Sequence, residues 1–430
     1  MWSLSGIRGC RLMLAAMASG ALQVGLAVPA VSGPYLDSAH GDAAMGVNRS
    51  TLDARYQNYA TGNCAHCHEM HASLDGSDPA PAGGPAPDTV FFRHFNTART
   101  LHPYVETDDF CFHCHSETLG QRVINQAYSA TFGGGVSGTG PQSIMTAFNQ
   151  ATYHNLYDVW RFLQTNQATY PWFKNSSNPC SACHNPHLAK RSMDAAKPGY
   201  PLRSVLSKPG SHTSLWGETQ VMSSYASYEA PYAFGTGREP GGVGDPDGTK
   251  TPDYVGFCTV CHNTANTIWS TTLNRNLKKV NWAATGEQRD KHGSLARDGS
   301  SYFREPYNTA AAVKVNFVLS CLDCHEAHGA PNIMLLRRRM NAEDLDGPVT
   351  MPDLMGYACK RCHKDDLAAG TGVANRWEYV HHDAPGAPYA KGTCTGCHAT
   401  SSEPIACGNC HGHGMDDTWA GVNKTGRTTF

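Results

Sequence analysis

Sixteen of the 17 cysteines in this 430-residue chain fall into eight copies of one pentapeptide, C-x-x-C-H. The first four copies are CAHCH (Cys64, Cys67, His68), CFHCH (Cys111, Cys114, His115), CSACH (Cys180, Cys183, His184) and CTVCH (Cys258, Cys261, His262). CLDCH (Cys321, Cys324, His325), CKRCH (Cys359, Cys362, His363), CTGCH (Cys394, Cys397, His398) and CGNCH (Cys407, Cys410, His411) follow. Two thiols at this spacing, followed at once by an imidazole, form the attachment pattern of a c-type haem. The sulfurs make thioethers to the vinyl groups on one porphyrin edge, and the histidine binds the iron from the proximal side. Disulfides do not require a histidine after every second cysteine, and zinc ribbons built on C-x-x-C pairs do not repeat it. With 22 histidines in the chain, eight out of eight by chance is negligible. Eight covalently bound haems (haem c, iron) are therefore expected.

The odd cysteine, Cys10, sits in what reads as an export signal over residues 1–30. Arg8 and Arg11 form a basic start, an apolar run extends from Leu12 to Val28, and Val28-Pro29-Ala30 offers small residues at a cleavage site. Ser19, Gly20, Gln23 and Gly25 interrupt the run, which is short for a bilayer span. The expectation is an exported protein, at the outer surface or extracellular with the periplasm as alternative, and without a membrane span once matured. A net charge of -2 argues against nucleic acid or an anionic membrane as the main partner.

Only 16% of residues are charged, while 43 Gly and 25 Pro favour loops over long helices. The expected fold class is a multihaem c-type cytochrome: loop-rich, with short helices, little strand, and the chain of haems as the core. Their apolar faces replace side-chain burial that such a chain cannot supply. Segments 132–140 and 235–250 read as loop or linker material. One amphipathic helix is expected around 145–166, where Met145, Phe148, Tyr153, Leu156, Val159 and Leu163 recur at near-helical spacing.

Eight proximal ligands leave fourteen other histidines, enough to supply every sixth coordination position. An iron held between two imidazoles has no open site, so it moves electrons and transforms no substrate. The chain is accordingly not expected to be an enzyme. A reductase would need an open or lysine-ligated iron, and no C-x-x-C-K occurs; Lys360 and Lys364 beside the sixth motif read as surface charges. Among distal candidates, His71, His187 and His328 each follow a proximal histidine by three residues, an offset that aims the second imidazole at a neighbouring iron. His154 and His292 lie in long intervals before the third and fifth motifs, and His102 precedes the second. His381, with His382 as its rival, precedes the seventh motif, and His413 serves the last pair. His66 and His113 lie inside attachment loops and cannot reach their own iron; His40, His94 and His212 read as surface or packing residues.

The order and local spelling of the first six motifs resemble the filament-forming extracellular multihaem c-type cytochromes, the nanowire cytochromes of the OmcS kind. The stretches that carry the resemblance are CAHCHEMHASLDG at 64–76, YHN around His154, CSACHNPHLAKR at 180–191, FCTVCHN at 257–263, CLDCHEAHG at 321–329 and CKRCHKDD at 359–366. The resemblance implies a six-haem module over 31–366, and it implies that His71 reaches across to a haem of the next subunit. His154, His187 and His328 match family ligands by context, and His292 does so less closely. Residues 367–430, with the seventh and eighth motifs, depart from the family pattern as a two-haem extension. The expected function is extracellular electron transfer along a filament of identical subunits joined head to tail through His71, with other cytochromes and extracellular acceptors as partners. A monomeric periplasmic or surface carrier is the alternative, and an octahaem reductase a remoter one.

Overall fold

The computed structural model describes residues 35–50, 57–68, 95–116, 143–175, 177–190, 206–216, 253–282, 292, 320–341, 343–345, 347–350, 356–359 and 361–362. Residues 1–30, expected to be an export signal, the segments at 132–140 and 235–250, and residues 367–430, expected to be a C-terminal extension, lie outside the described residues.

The six attachment motifs in the described residues each form a tight turn. In four of them the first cysteine's carbonyl accepts two N–H groups, those of the second cysteine and of the histidine. The distances are 3.0 and 2.8 Å at Cys64, 3.2 and 2.9 Å at Cys111, 3.2 and 3.0 Å at Cys180, and 3.2 and 2.9 Å at Cys258. His325 N–H makes the corresponding bond to Cys321 at 2.9 Å, and Cys362 N–H reaches the Cys359 carbonyl at 3.1 Å. One helical turn of this kind brings residues three and four apart onto one face. Short polar side chains start four of the turns: Asn63 accepts from Ala65 N–H, Asp109 from Cys111 N–H, Asn178 from Cys180 N–H, and Ser320 from Leu322 N–H. Such caps satisfy amide donors that a one-turn helix cannot pair internally.

Regular elements are few and short. Among the described residues the helices are α1 (Ile144–Phe148), α2 (Leu156–Thr165), α3 (Tyr254–Cys258), α4 (Cys321–Cys324) and α5 (Gly356–Cys359). The strands are pairs of residues: β1 (Thr152–Tyr153), β2 (Trp269–Ser270), β3 (Arg275–Asn276), β4 (Gly329–Ala330), β5 (Arg339–Met340) and β6 (Glu343–Asp344). They form three antiparallel two-stranded ribbons, β1 with β4, β2 with β3 and β5 with β6. The described part is thus loop-rich with little strand. Among the described residues no helix is long and apolar enough to cross a membrane.

The single helix expected over 145–166 is divided. α1 stops at Phe148, the chain pairs as β1, and α2 restarts at Leu156 under the Asn155 cap, whose Oδ1 accepts from Tyr157 and Asp158 N–H. Asn149, in the gap, exchanges two hydrogen bonds with the Tyr104 backbone, at 2.7 and 2.9 Å. Two asparagines that satisfy backbone groups outside the helix therefore outweigh the apolar period. The apolar residues are nonetheless inward: Phe148, Tyr153 and Leu156 join Tyr104 and Phe112 in one cluster, and Leu163 joins Tyr170 and Phe173 in a second.

A third cluster holds Leu336, Met340, Val349 and Ala358. Each cluster packs against a cysteine of an attachment motif: Cys180, Cys261 and Cys324 respectively. Small side-chain cores are thus distributed along the line of motifs. In β4, a Cβ on Gly329 would run into the Ala147 carbonyl oxygen, so the α1–β4 approach requires glycine.

Candidate metal centres

Consecutive motifs are neighbours in space. The Cys67 thiol is held near 12 by burial first and then by the nearby Cys114 thiol. Cys180 is hydrogen-bonded to Cys111, Cys183 feels Cys261, Cys258 is hydrogen-bonded to Cys321, and Cys324 feels Cys359. The first to sixth motifs therefore follow one another in space in their sequence order. Burial keeps the Cys183 and Cys324 thiols near 12 as well. Sulfurs in this state are not ready thiolate nucleophiles.

Four motif histidines each face a histidine from outside the motifs. The ring centroids are 5.7 Å apart for His68 and His187, 6.3 Å for His115 and His40, 6.2 Å for His184 and His328, and 6.0 Å for His262 and His154. Imidazoles bound to opposite sides of one metal ion, each by a nitrogen–metal bond of about 2 Å, have ring centroids roughly 6 Å apart. Ring pairs that hold no metal also occur at this separation, as Tyr157 and Trp160 at 6.0 Å do, so the distance is compatible with the four pairs each holding one iron and does not by itself require it.

Hydrogen bonds at the ring nitrogens sort the histidines further. His40 Nδ1 bonds the Pro186 carbonyl at 3.1 Å, His154 Nδ1 the Ala327 carbonyl at 3.2 Å, and His325 Nδ1 the Met334 carbonyl at 2.8 Å. An N–H at Nδ1 leaves the Nε2 lone pair for a metal, and such a backbone carbonyl is the usual outer partner of a ligating imidazole. His66 differs: Nε2 bonds the Ala60 carbonyl and Nδ1 accepts from Arg49 N–H, so both nitrogens are used. His212 directs Nε2 to the His184 carbonyl at 3.0 Å and braces the third attachment loop from outside.

Burial also keeps these rings in the neutral form that binds metals. It lowers His115 to about 4 and His328 to about 3, helped by neighbouring histidines, and it lowers His40, His154 and His187 in the same direction. His187 is set by Asn185, whose Oδ1 accepts its backbone N–H at 2.9 Å, and by an edge contact with Tyr35 at 5.6 Å.

The structure brings together His187, His328 and His154 with motif imidazoles. It puts His40, which the sequence offered as a packing residue, opposite His115. His102 lies on the ring of Tyr153 with centroids 4.3 Å apart, and its buried Nδ1 makes no hydrogen bond. No spacing signal marks His40, because its partner is 75 residues along the chain. His292 is described without its chain neighbours. His71, His94, His363, His381, His382, His398, His411, His413, Cys394, Cys397, Cys407 and Cys410 lie outside the described residues, as do Lys360 and Lys364. Comparison of the chain with protein-family models, with curated proteins and with solved structures finds no match.

Proposed function

We propose that this chain is an exported electron-transfer protein carrying eight covalently attached c-type haems, each held between two histidines. The observation that carries this reading is the set of four imidazole pairs at 5.7–6.3 Å, each joining a C-x-x-C-H histidine to one from a distant segment. A disulfide or zinc-ribbon protein does not require such pairing. When bound, the haem supplies a one-electron iron couple. Each cysteine pair would anchor the group covalently, the motif histidine and its facing histidine would hold the iron, and the neighbouring thiols would set a linear order of sites. Histidine on both sides excludes a substrate from the iron, so the role is conduction and not turnover.

The ligands also lace the chain. His184 and His187, three residues apart, belong to the third and first sites; His325 and His328 belong to the fifth and third. One short segment therefore holds two sites at fixed separation. By the same logic His71, three residues after His68, serves an iron other than that of His68, and the resemblance assigns it to an adjoining copy of the chain. A heterologous contact of that kind propagates into a filament when its rotation does not close. The proposed assembly is a head-to-tail filament that conducts electrons outside the cell.

The test is haem content and spectrum of the purified mature protein. Eight haems per chain by mass, with low-spin six-coordinate spectra throughout, are expected; a persistent high-spin fraction in wild type that binds small anions would support a reductase instead. Electron microscopy then separates a filament from a monomeric carrier.

A further inference from the structure

The second and third motifs are joined by a reciprocal exchange that the axial ligands do not use. Asp109 and Asn178 each stand two residues before the first cysteine of a motif. Each accepts the N–H of its own cysteine, Cys111 to Asp109 at 2.7 Å and Cys180 to Asn178 at 2.8 Å. Each also reaches the other motif: both Asp109 oxygens lie 3.8 Å from the Cys180 sulfur, and Asn178 Oδ1 lies 3.9 Å from the Cys111 sulfur. The two side chains are in turn hydrogen-bonded to each other. Asp109 is 1% exposed.

Burial raises the Asp109 carboxyl to about 6, with hydrogen bonds from Asn178 and from Cys111 opposing the rise. Asp109, Cys111 and Cys180 hold their ligating atoms within 4.8 Å of one another, yet two of the three are attachment sulfurs and leave no thiolate pair for a separate ion. A buried carboxylate with dipolar partners acts over a low effective dielectric, where its charge is felt strongly. Its neighbours are the two sulfurs through which the second and third porphyrin edges are anchored.

We infer that Asp109 is an electrostatic control residue shared by the second and third haems, its negative charge favouring the ferric over the ferrous state of both and making this pair a low-potential step in the chain. Asn178 is the neutral counterpart that positions the carboxylate. Reduction adds one electron to one iron and moves no atom, so a fixed charge acts on the potential alone. The inference rests on the haem reading above.

The experiment compares Asp109→Asn, which removes the charge, and Asp109→Glu, which keeps it, with wild type, as full-length haem-loaded protein, by spectroelectrochemical titration at pH 8. Asn178→Asp is not a usable opposite, because a second carboxyl against Asp109 would share its proton. Two of the component midpoints should rise in D109N and stay near wild type in D109E, with the other components and the low-spin spectrum unchanged. Midpoints that stay put in D109N, or that rise equally in both variants, overturn the inference, since shape and not charge would then set them. If D109N does not load haem, Asp109→Ser, which accepts the Cys111 N–H without charge, is titrated in its place and decides by the same rise. Wild-type protein without haem overturns the underlying reading instead, and haem content is measured first for that reason.

Discussion

His154 donates its backbone N–H to the carbonyl of His328 at 3.1 Å, one step beyond the β1–β4 ribbon, in which Tyr153 is opposite Gly329. His154 Nδ1 meets the carbonyl of Ala327 in the same turn of chain. The ribbon is only two residues long, and its effect is to deliver two imidazoles side by side, His154 toward His262 and His328 toward His184. Gln150 donates to the Gly329 carbonyl at 2.6 Å, and Thr152 to that of Asn332 at 2.5 Å, so side chains reinforce a ladder too short to hold alone.

On the proposed haem reading, two substitutions should therefore act on separate irons. His154→Ala would open the fourth site and His328→Ala the third. Each single variant should convert one haem in eight to a high-spin, exogenous-ligand-binding form, and the double variant should convert two. Titration with imidazole or cyanide, followed in the visible spectrum, counts them. Gly329→Ala should disturb both sites at once, because the added methyl meets the Ala147 carbonyl. Overpacking of this sort costs about 1–3 kcal/mol.

The second site distinguishes two histidines. His40→Ala should leave one haem high-spin, because His40 faces His115 at 6.3 Å. His102→Ala should leave the spectrum at wild type, since that ring packs on Tyr153 and its loss removes only a packing contact. Magnetic circular dichroism of the two variants in parallel is the measurement. A high-spin signal in the His102 variant and none in the His40 variant would reverse the assignment.

These cases mark what the sequence could tell. The turns were legible because the C-x-x-C-H spacing is local, and all six in the described residues form short turns. The nearness of His187 and His328 to motif histidines has a local signal too, their place three residues after a motif. His40 was not, because its pairing depends on how residues 35–50 fold back against the loop at Pro186, and no periodicity records that. The 145–166 helix failed for a related reason. Its apolar spacing was real, but Asn149 and Asn155 satisfied backbone groups elsewhere and split one helix into two cores. Tertiary partners decided where local pattern was permissive.

Asp158 tests how α2 is tied to the β2–β3 hairpin. Its carboxylate is buried and accepts from both Thr271 N–H, at 2.7 Å, and Thr271 Oγ1–H, at 2.5 Å. Hydrogen bonds to a charged group contribute about 1.5–3 kcal/mol. Asp158→Ala should lower the guanidinium midpoint accordingly, with an unchanged slope, while the haem spectrum in buffer stays at wild type. Asp158→Asn keeps the shape but cannot accept both hydrogen bonds with charge, so its loss should be intermediate.

In the proposed filament, His71 would carry the assembly. It follows His68 by the same three residues that separate His187 from His184 and His328 from His325. In those two cases the later imidazole faces a histidine of a different motif, at 5.7 and 6.2 Å. Applied to His71, the rule points to an iron other than that of His68, and the proposed head-to-tail assembly would put that iron in the next copy. His71→Ala should then keep eight haems, keep its fold as read by circular dichroism, and lose ordered fibres in electron micrographs. One haem per chain should turn high-spin. Adding free imidazole should restore the low-spin spectrum without restoring fibres, because it fills the coordination position but cannot bridge two chains. Fibres that persist in the variant would show that the subunits are held by other contacts.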